Sequence, residues 1–401
     1  MGNIKQTINQ QRLYRIHTHL MDWFNQHKRD LPWRTTPREA YKVWISEIML
    51  QQTQVDTVIP YFEAWMAKWP RVQDLARASE AQVLKAWEGL GYYARARNIL
   101  KTARLITEEH GASLPTSYKK LLKLPGIGPY TAAAIASYTS GQAVGAVDAN
   151  VLRVLSRLNQ IEWTAGEPKS LKACQNHLSS AMEALSKKDD WTANENSDKN
   201  DLYSKQSFQA GPLNEALIEL GALICQAKTA VCQVCPLSQD CLALAYNSVY
   251  DFPLAKDKIA KREEYYSLLI LYHKDLQSFA VEQRPSKGLL GGLWQFPLLE
   301  GLRESEESKS YLESKGYRVF SLRKLEGYRH VFSHLVWNIE PYVAIISDRP
   351  GENPPAPAKN LLKESADSFR WLPAKNLLDL PFSSSMTHLR DSIIKQDFSF
   401  D

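Results

Sequence analysis

Four of the five cysteines crowd into seventeen residues, as Cys225-x6-Cys232-x2-Cys235-x5-Cys241, while Cys174 stands apart. No other feature constrains the chain as tightly. Thiolates this close on one short loop converge on a soft metal centre, and either zinc or an iron–sulfur cluster accepts four sulfur ligands. Spacing by itself leaves the two open. An odd count with four crowded together does not fit a secreted disulfide framework. The opening stretch MGNIKQTINQQ has no apolar leader segment, and Gln6 stands where a myristoylation site wants Ser or Thr. No run approaches the roughly 18 apolar residues of a membrane span. A cytoplasmic chain with no membrane attachment is expected.

The cysteine loop closes a long helical region. VWISEIML, AQVLKAWEGLGYY, RNILKTARLI and VLRVLSRL carry apolar residues at helical spacing, with Pro and Gly between them. The polar stretch at 183–210 reads as a flexible insertion, after which GPLNEALIELGALIC resumes a helix. Residues 250–264 are charged, contain a proline and suit a linker. Beyond it YYSLLILYH, SFAVEQR and LVWNIEPYVAII read as strands. The expected organisation is a mainly α region over 1–249 followed by an α+β domain over 265–401. Charge follows the same division: residues 1–160 hold 21 Lys and Arg against 12 Asp and Glu, and the remainder 28 against 32. A basic helical half suits a polyanion, nucleic acid first, although a solvated charged surface gives the same count.

Several motifs carry chemistry. In LPGIGPYT, Gly126 and Gly128 let the backbone turn between two helices and bring N–H groups to the surface, an arrangement suited to a phosphate. An ordinary helix–helix turn looks the same. Asp148 caps the helix that follows it, and backbone donors there favour its ionised form, as a developing cation requires. Glu47 lies within the apolar VWISEIML, where burial raises a carboxyl pKa and keeps the group protonated. At the edge of that face it would be an ordinary paired glutamate. Taken as a pair, one protonated and one ionised carboxyl are the equipment for breaking a glycosidic bond. The amides of QQTQ (51–54) can probe bases or merely solvate a helix end. GLGYYARAR (89–97) sets aromatics beside arginines, a mix suited to wedging into DNA and equally to a core.

LPWR, SEIMLQQTQV, EGLGYYARARN, PGIGPYT, VDANV and NEALIELGALIC, with the four-cysteine loop, resemble the helix-hairpin-helix DNA glycosylase superfamily and, within it, the MutY-type adenine glycosylases. The likeness runs from about residue 20 to 385 and is interrupted at 183–210. It implies two helical subdomains, a [4Fe–4S] cluster on Cys225, Cys232, Cys235 and Cys241, and a Nudix-like C-terminal domain. It implies a monomeric, monofunctional base-excision-repair enzyme of bacterial, nucleoid-associated type. Its substrate would be double-stranded DNA carrying adenine opposite 8-oxoguanine or guanine. Glu47, Asp148, Tyr130 and Asn150 are the catalytic groups so implied. Trp33, Arg34 and Glu215 line the pocket; Leu90 and Tyr92 wedge beside the lesion; Gln52 and Thr53 support the distorted step; Gly126 and Gly128 hold the backbone. Phe332, Ser333 and His334, within HVFSHLVW, read the opposite base. Competing readings lack residues: an endonuclease III-type lyase needs a lysine where Tyr130 stands, and a Nudix pyrophosphatase needs an acidic helix that SEESKSYLESKGY does not offer. A DNA-binding protein without catalysis would need neither Glu47 nor Asp148. Departures from the family pattern are Leu152 at a place where some members carry lysine, Ala149 in place of the commoner glycine, and Lys228 as the one basic residue in QAKTAV.

Overall fold

The computed structural model describes residues 10–187, 208–256, 260–348 and 369–395. They fall into two compact units, Met1–Ala78 with Asn98–Asp257, and Ser79–Arg97 with Lys258–Asp401. The division after Asp257 lies inside the stretch read as a linker. The segment Ser79–Arg97 belongs with the second unit, which its position in the sequence did not suggest. No helix among the described residues is long and apolar enough to cross a membrane.

The first unit is built from helices. Ala40–Met49 carries the VWISEIML run, and Val43 through Met49 are all buried, so this helix is covered on every side. Pro129–Ser140 and Ala149–Asn159 follow the glycine-rich turn and Asp148 respectively. Helix Pro168–Ser186 runs on through the first residues of the expected insertion because Leu185 still packs in the core. Residues 188–207 lie outside the described residues. Ala210–Leu223 then packs against Ala149–Asn159, Gln10–His27 and Pro129–Ser140.

Two glycines explain how closely Ala210–Leu223 can lie. A Cβ on Gly211 would stand 2.8 Å from the Ser137 carbonyl oxygen, and one on Gly221 would stand 2.6 Å from Asn150 Cβ. Both contacts are shorter than side chains tolerate, so the backbones meet only because no side chain intervenes. Between them Asn214, wholly buried, accepts from the Ala146 amide at 2.9 Å. Its amide nitrogen donates to Ser137 Oγ and the Val144 carbonyl, each at 2.9 Å.

The second unit contains a mixed sheet. Its strands are β1 (Arg262–His273), β2 (Ser278–Gln283), β3 (Trp294–Gln295), β4 (Leu298–Glu300), β5 (Tyr317–Lys324), β6 (Tyr328–Val331), β7 (Leu335–Asp348) and β8 (Arg370–Leu372). The long path runs β3-β2-β1-β7-β5, with β1 and β7 parallel and the other pairs antiparallel. Alternate residues of β1 serve two cores: Leu268 and Ile270 face one, Leu269 and Leu271 the other. Burial on both faces is why YYSLLILYH reads as an unbroken apolar run. Helix Ser305–Ser314 covers one face through Leu312, and helix Thr387–Ile394 covers the other through Leu389 and Ile393.

Within this unit Ser79–Arg97 is held by hydrogen bonds. Tyr93 donates to the Phe382 carbonyl at 3.2 Å, Lys85 donates to the Leu380 carbonyl at 3.3 Å, and Arg390 pairs with Glu88. AQVLKAWEGLGYY is helical only over Glu80–Ala86. Positive φ at Gly89, Gly91 and Tyr92 then breaks the run into a tight turn.

Asn214→Ala should unfold the first unit at lower denaturant. It leaves one buried amide and two buried acceptors without their partner, and the loss should be at least about 1–3 kcal/mol. Denaturant titration followed by tryptophan fluorescence measures it. An unchanged midpoint would contradict the structural role given to this side chain.

Candidate active site

A cavity of about 1220 Å³ opens in the first unit among the starts and ends of its helices. Glu47 enters it from helix Ala40–Met49, Tyr130 from the first turn of Pro129–Ser140, and Asp148 from the cap of Ala149–Asn159. Trp33, Arg34, Gln52, Thr53, Asn150 and Glu215 also line it. The residues picked from sequence for the catalytic and pocket roles therefore meet in one place.

Glu47 is 6% exposed, and its Oε2 makes no hydrogen bond to any described residue. Burial pushes its pKa up to about 7, with the Tyr130 hydroxyl beside it pulling part of the way back. Asp148 accepts from the Val151 amide at 2.8 Å and from Asn150 Nδ2 at 2.9 Å. Its pKa is nonetheless raised, because burial outweighs those donors. The donors expected from its capping position are present, but they hold the shift down without reversing it. Arg153 extends the chain of contacts, donating to Asn150 Oδ1 at 2.8 Å and to the Cys225 carbonyl at 2.8 Å.

The floor of the cavity is an alternating row of charges. Glu219 accepts from the Arg29 amide and guanidinium, each at 2.9 Å, and from Arg34 at 3.2 Å. Arg34 also donates to Glu215 at 3.1 Å, and Arg38 closes the row on both Glu215 oxygens at 2.8 and 2.6 Å. Burial acts to raise the Glu219 pKa, but the Arg29 donors and the charge of Arg34 bring it below its ordinary value. Fixed carboxylates with fixed partners keep the pocket polar without leaving a buried charge alone.

Sequence reading missed Arg29, Arg38, Glu219 and Tyr138. For Glu219 a signal existed: Glu-x-x-x-Glu in NEALIELG puts both carboxyls on one helix face. Tyr138, two turns beyond Tyr130, could have been placed on the same face by the same reasoning. Arg38 follows a cis proline turn at Thr36–Pro37 and carried no local signal.

The turn Leu124–Pro129 separates the duties of its glycines. Gly126 has φ +74, and a Cβ there would meet Asn98 Cβ at 2.5 Å. Gly128 is in the ordinary extended region with open space around it, so it leaves the turn uncovered and does not bend it. Both are exposed, as are Lys119, Lys120 and Lys123 nearby.

Cys225, Cys232, Cys235 and Cys241 line one small cavity with Arg157, Ile224 and Leu244. Arg157 donates to Cys225 Sγ at 3.4 Å and to the Gln226 carbonyl at 2.7 Å. Asp240, one residue before the last cysteine, is clamped by Arg15, and its carbonyl by Arg12 at 2.7 Å. Among the described residues no three His, Cys, Asp or Glu side chains are gathered tightly enough for one metal ion. The four thiols surround a space; they do not meet at a point.

In the second unit Tyr92 is 50% exposed whereas Leu90 is 4% exposed. Leu90 is packed away, and of the two residues expected to wedge, only Tyr92 is exposed. The Tyr92 hydroxyl lies 2.5 Å from Ser333 Oγ. Phe332 packs edge-on to Trp337 and His330, while Ser333 and His334 are exposed in the turn between β6 and β7.

Known proteins share both units. The family profile of HhH-GPD superfamily base excision DNA repair proteins matches residues 45–179, and that of the NUDIX domain matches 267–391. The adenine DNA glycosylase of Mus musculus is 32% identical over 402 residues, covering 86% of this chain and 74% of its own. That of Homo sapiens is 33% identical over 403 residues, covering 86% and 70%. That of Arabidopsis thaliana is 32% identical over 387 residues, covering 83% of this chain but only 58% of its own. On the strength of these matches, the chain belongs to the adenine DNA glycosylases of base excision repair.

Proposed function

We propose that the chain hydrolyses the N-glycosidic bond of adenine opposite 8-oxoguanine, and opposite guanine, in double-stranded DNA. The observation that carries this reading is a buried carboxyl with a pKa of about 7, Glu47, sharing one cavity with the capped Asp148. An adenine must leave the duplex to reach such a cavity. Glu47 gives its proton to adenine N7 as the bond from C1′ to N9 breaks, so the base departs neutral. The sugar becomes cationic at C1′, where the Asp148 carboxylate stabilises it. Asn150 and Tyr130 orient the two carboxyls. Water then forms the new C1′–O bond and gives its proton to a carboxylate.

The exposed turn at Gly126 and Gly128, with Lys119, Lys120 and Lys123, suits a phosphate of the same strand. On the second unit, Tyr92 and the Phe332–His334 turn suit the opposite base. The four thiols lining one cavity support a soft metal centre there, and the family's typical [4Fe–4S] cluster is the one proposed. Cys225, Cys232, Cys235 and Cys241 would hold it, and when bound it would supply a rigid, charged strut for the loop.

Incubation with duplexes carrying adenine opposite 8-oxoguanine, G, C and T tests the reading directly. Excision confined to the first two supports it, and none in any duplex ends it. Glu47→Gln should lower the single-turnover rate about 10²–10⁴-fold, the range for a general acid, while mismatch binding persists. In the native enzyme the protonated form prevails below pH 7. The rate should therefore fall as pH rises through that value, and Glu47→Gln should lack that limb.

Ser333→Ala with His334→Ala should reduce preference for 8-oxoguanine over guanine opposite the adenine, each lost contact being worth roughly 1–3 kcal/mol. Matched rates on both mispairs, in native and variant protein at one salt concentration, decide the point. Chemical analysis should find iron and acid-labile sulfide in the purified protein, both lost in Cys225→Ser. Zinc without sulfide would remove the cluster from the proposal.

A further inference from the structure

Helix Pro129–Ser140 delivers a second phenol to the cavity. Tyr138 follows Tyr130 by eight residues, which returns it to the same helix face, and both line the pocket. The close approach at Gly211 fixes its neighbour: a Cβ on Gly211 would stand 3.1 Å from Tyr138 Cα, and Glu215 lies one turn further along that helix. The charged and titratable groups around the Tyr138 hydroxyl are Glu47, Glu215, Arg34 and Asp148. Three of the four are carboxyls. Burial first, and then those carboxyls, raise the phenol well above its ordinary pKa, so it stays neutral and keeps its proton to donate.

Adenine offers three ring acceptors to such a pocket: N7, which the proposed mechanism assigns to Glu47, and N1 and N3 of the six-membered ring. Guanine differs at both remaining positions, carrying a hydrogen on N1 and an amino group beside N3. We propose that Tyr138 is a specificity residue that contacts the extruded base, its hydroxyl donating a hydrogen bond to N1 or N3 of adenine. The inference rests on the reading of the cavity as an adenine pocket and adds the group that recognises the far side of the ring. A donor held at N1 would meet the N1–H of guanine, leaving two buried polar groups unpaired, whereas one held at N3 would find that edge crowded by the guanine amino group.

The test is a cycle of native protein and Tyr138→Phe against duplexes containing adenine, 1-deazaadenine or 3-deazaadenine opposite 8-oxoguanine, read as single-turnover rates. On adenine the variant should be slower by about threefold to tenfold, the range for one neutral hydrogen bond. On one of the two deaza bases the native protein and the variant should react at the same rate, because the acceptor is already gone. Equal slowing of the variant on all three bases would assign Tyr138 to packing alone and overturn the proposal, as would no slowing on adenine. Each comparison is made within one preparation and uses rates, so a change in the folded fraction does not imitate the result. Native protein that excises no adenine would overturn the function itself, and this inference with it.

Discussion

How near helix Ala210–Leu223 can come to its neighbours governs every group in the cavity. Gly211 admits the backbone of Ser137 and Tyr138, Gly221 admits Asn150, and Asn214 ties the intervening turn to Val144 and Ala146. Glu215 and Glu219 ride on that same helix and so acquire fixed positions relative to Tyr138 and to the Asp148–Asn150 turn. The cysteine loop begins at the far end of the helix, and Arg153 links its first carbonyl to Asn150. A displacement of this helix would thus be felt by Tyr138, the Asp148–Asn150 turn and the cysteine loop together. Interiors packed without voids transmit such shifts and do not absorb them.

The pocket sorts its carboxyls by the partners it gives them. Glu215 and Glu219 are met by three arginines with defined donor geometry. Glu47 makes no ion pair among the described residues, and burial raises its pKa to about 7. Asp148 falls between, buried yet supplied with donors. Chemically similar groups thereby differ in how readily each holds a proton, a difference the proposed roles of Glu47 and Asp148 draw on. Solvent access, neighbouring donors and neighbouring charges together produce the differences.

Much of this was legible from residues. The strands β1, β2 and β7 coincide with the three apolar runs picked out by texture, and Asp148 caps its helix as its position suggests. Glu47 alone could have been an ordinary paired glutamate at the edge of VWISEIML, and it became legible only when read together with Asp148. Contacts that depend on distant chain segments were not legible. The resemblance gave Leu90 a wedging role, but the surrounding packing buries it. Arg38 reaches Glu215 across 177 positions, and nothing local announces the pairing. The segment Ser79–Arg97 looks like any other part of a helical run, yet its partners are Gly291, Leu380, Phe382 and Arg390.

That last feature bears on how the protein is made. A ribosome releases Ser79–Arg97 early, while the residues it must pack against come from the last third of the chain. Synthesis proceeds at about 5–20 residues per second, so Trp87 and Tyr93 wait roughly 15–60 seconds for their final surroundings. During that interval the first unit has its own residues in hand, apart from a loop whose partners do not yet exist. The chain's exposure to aggregation and to proteases should therefore centre on this early loop. The groups proposed to probe the lesion strand take shape only when translation is nearly complete, so a prematurely ended chain would lack them.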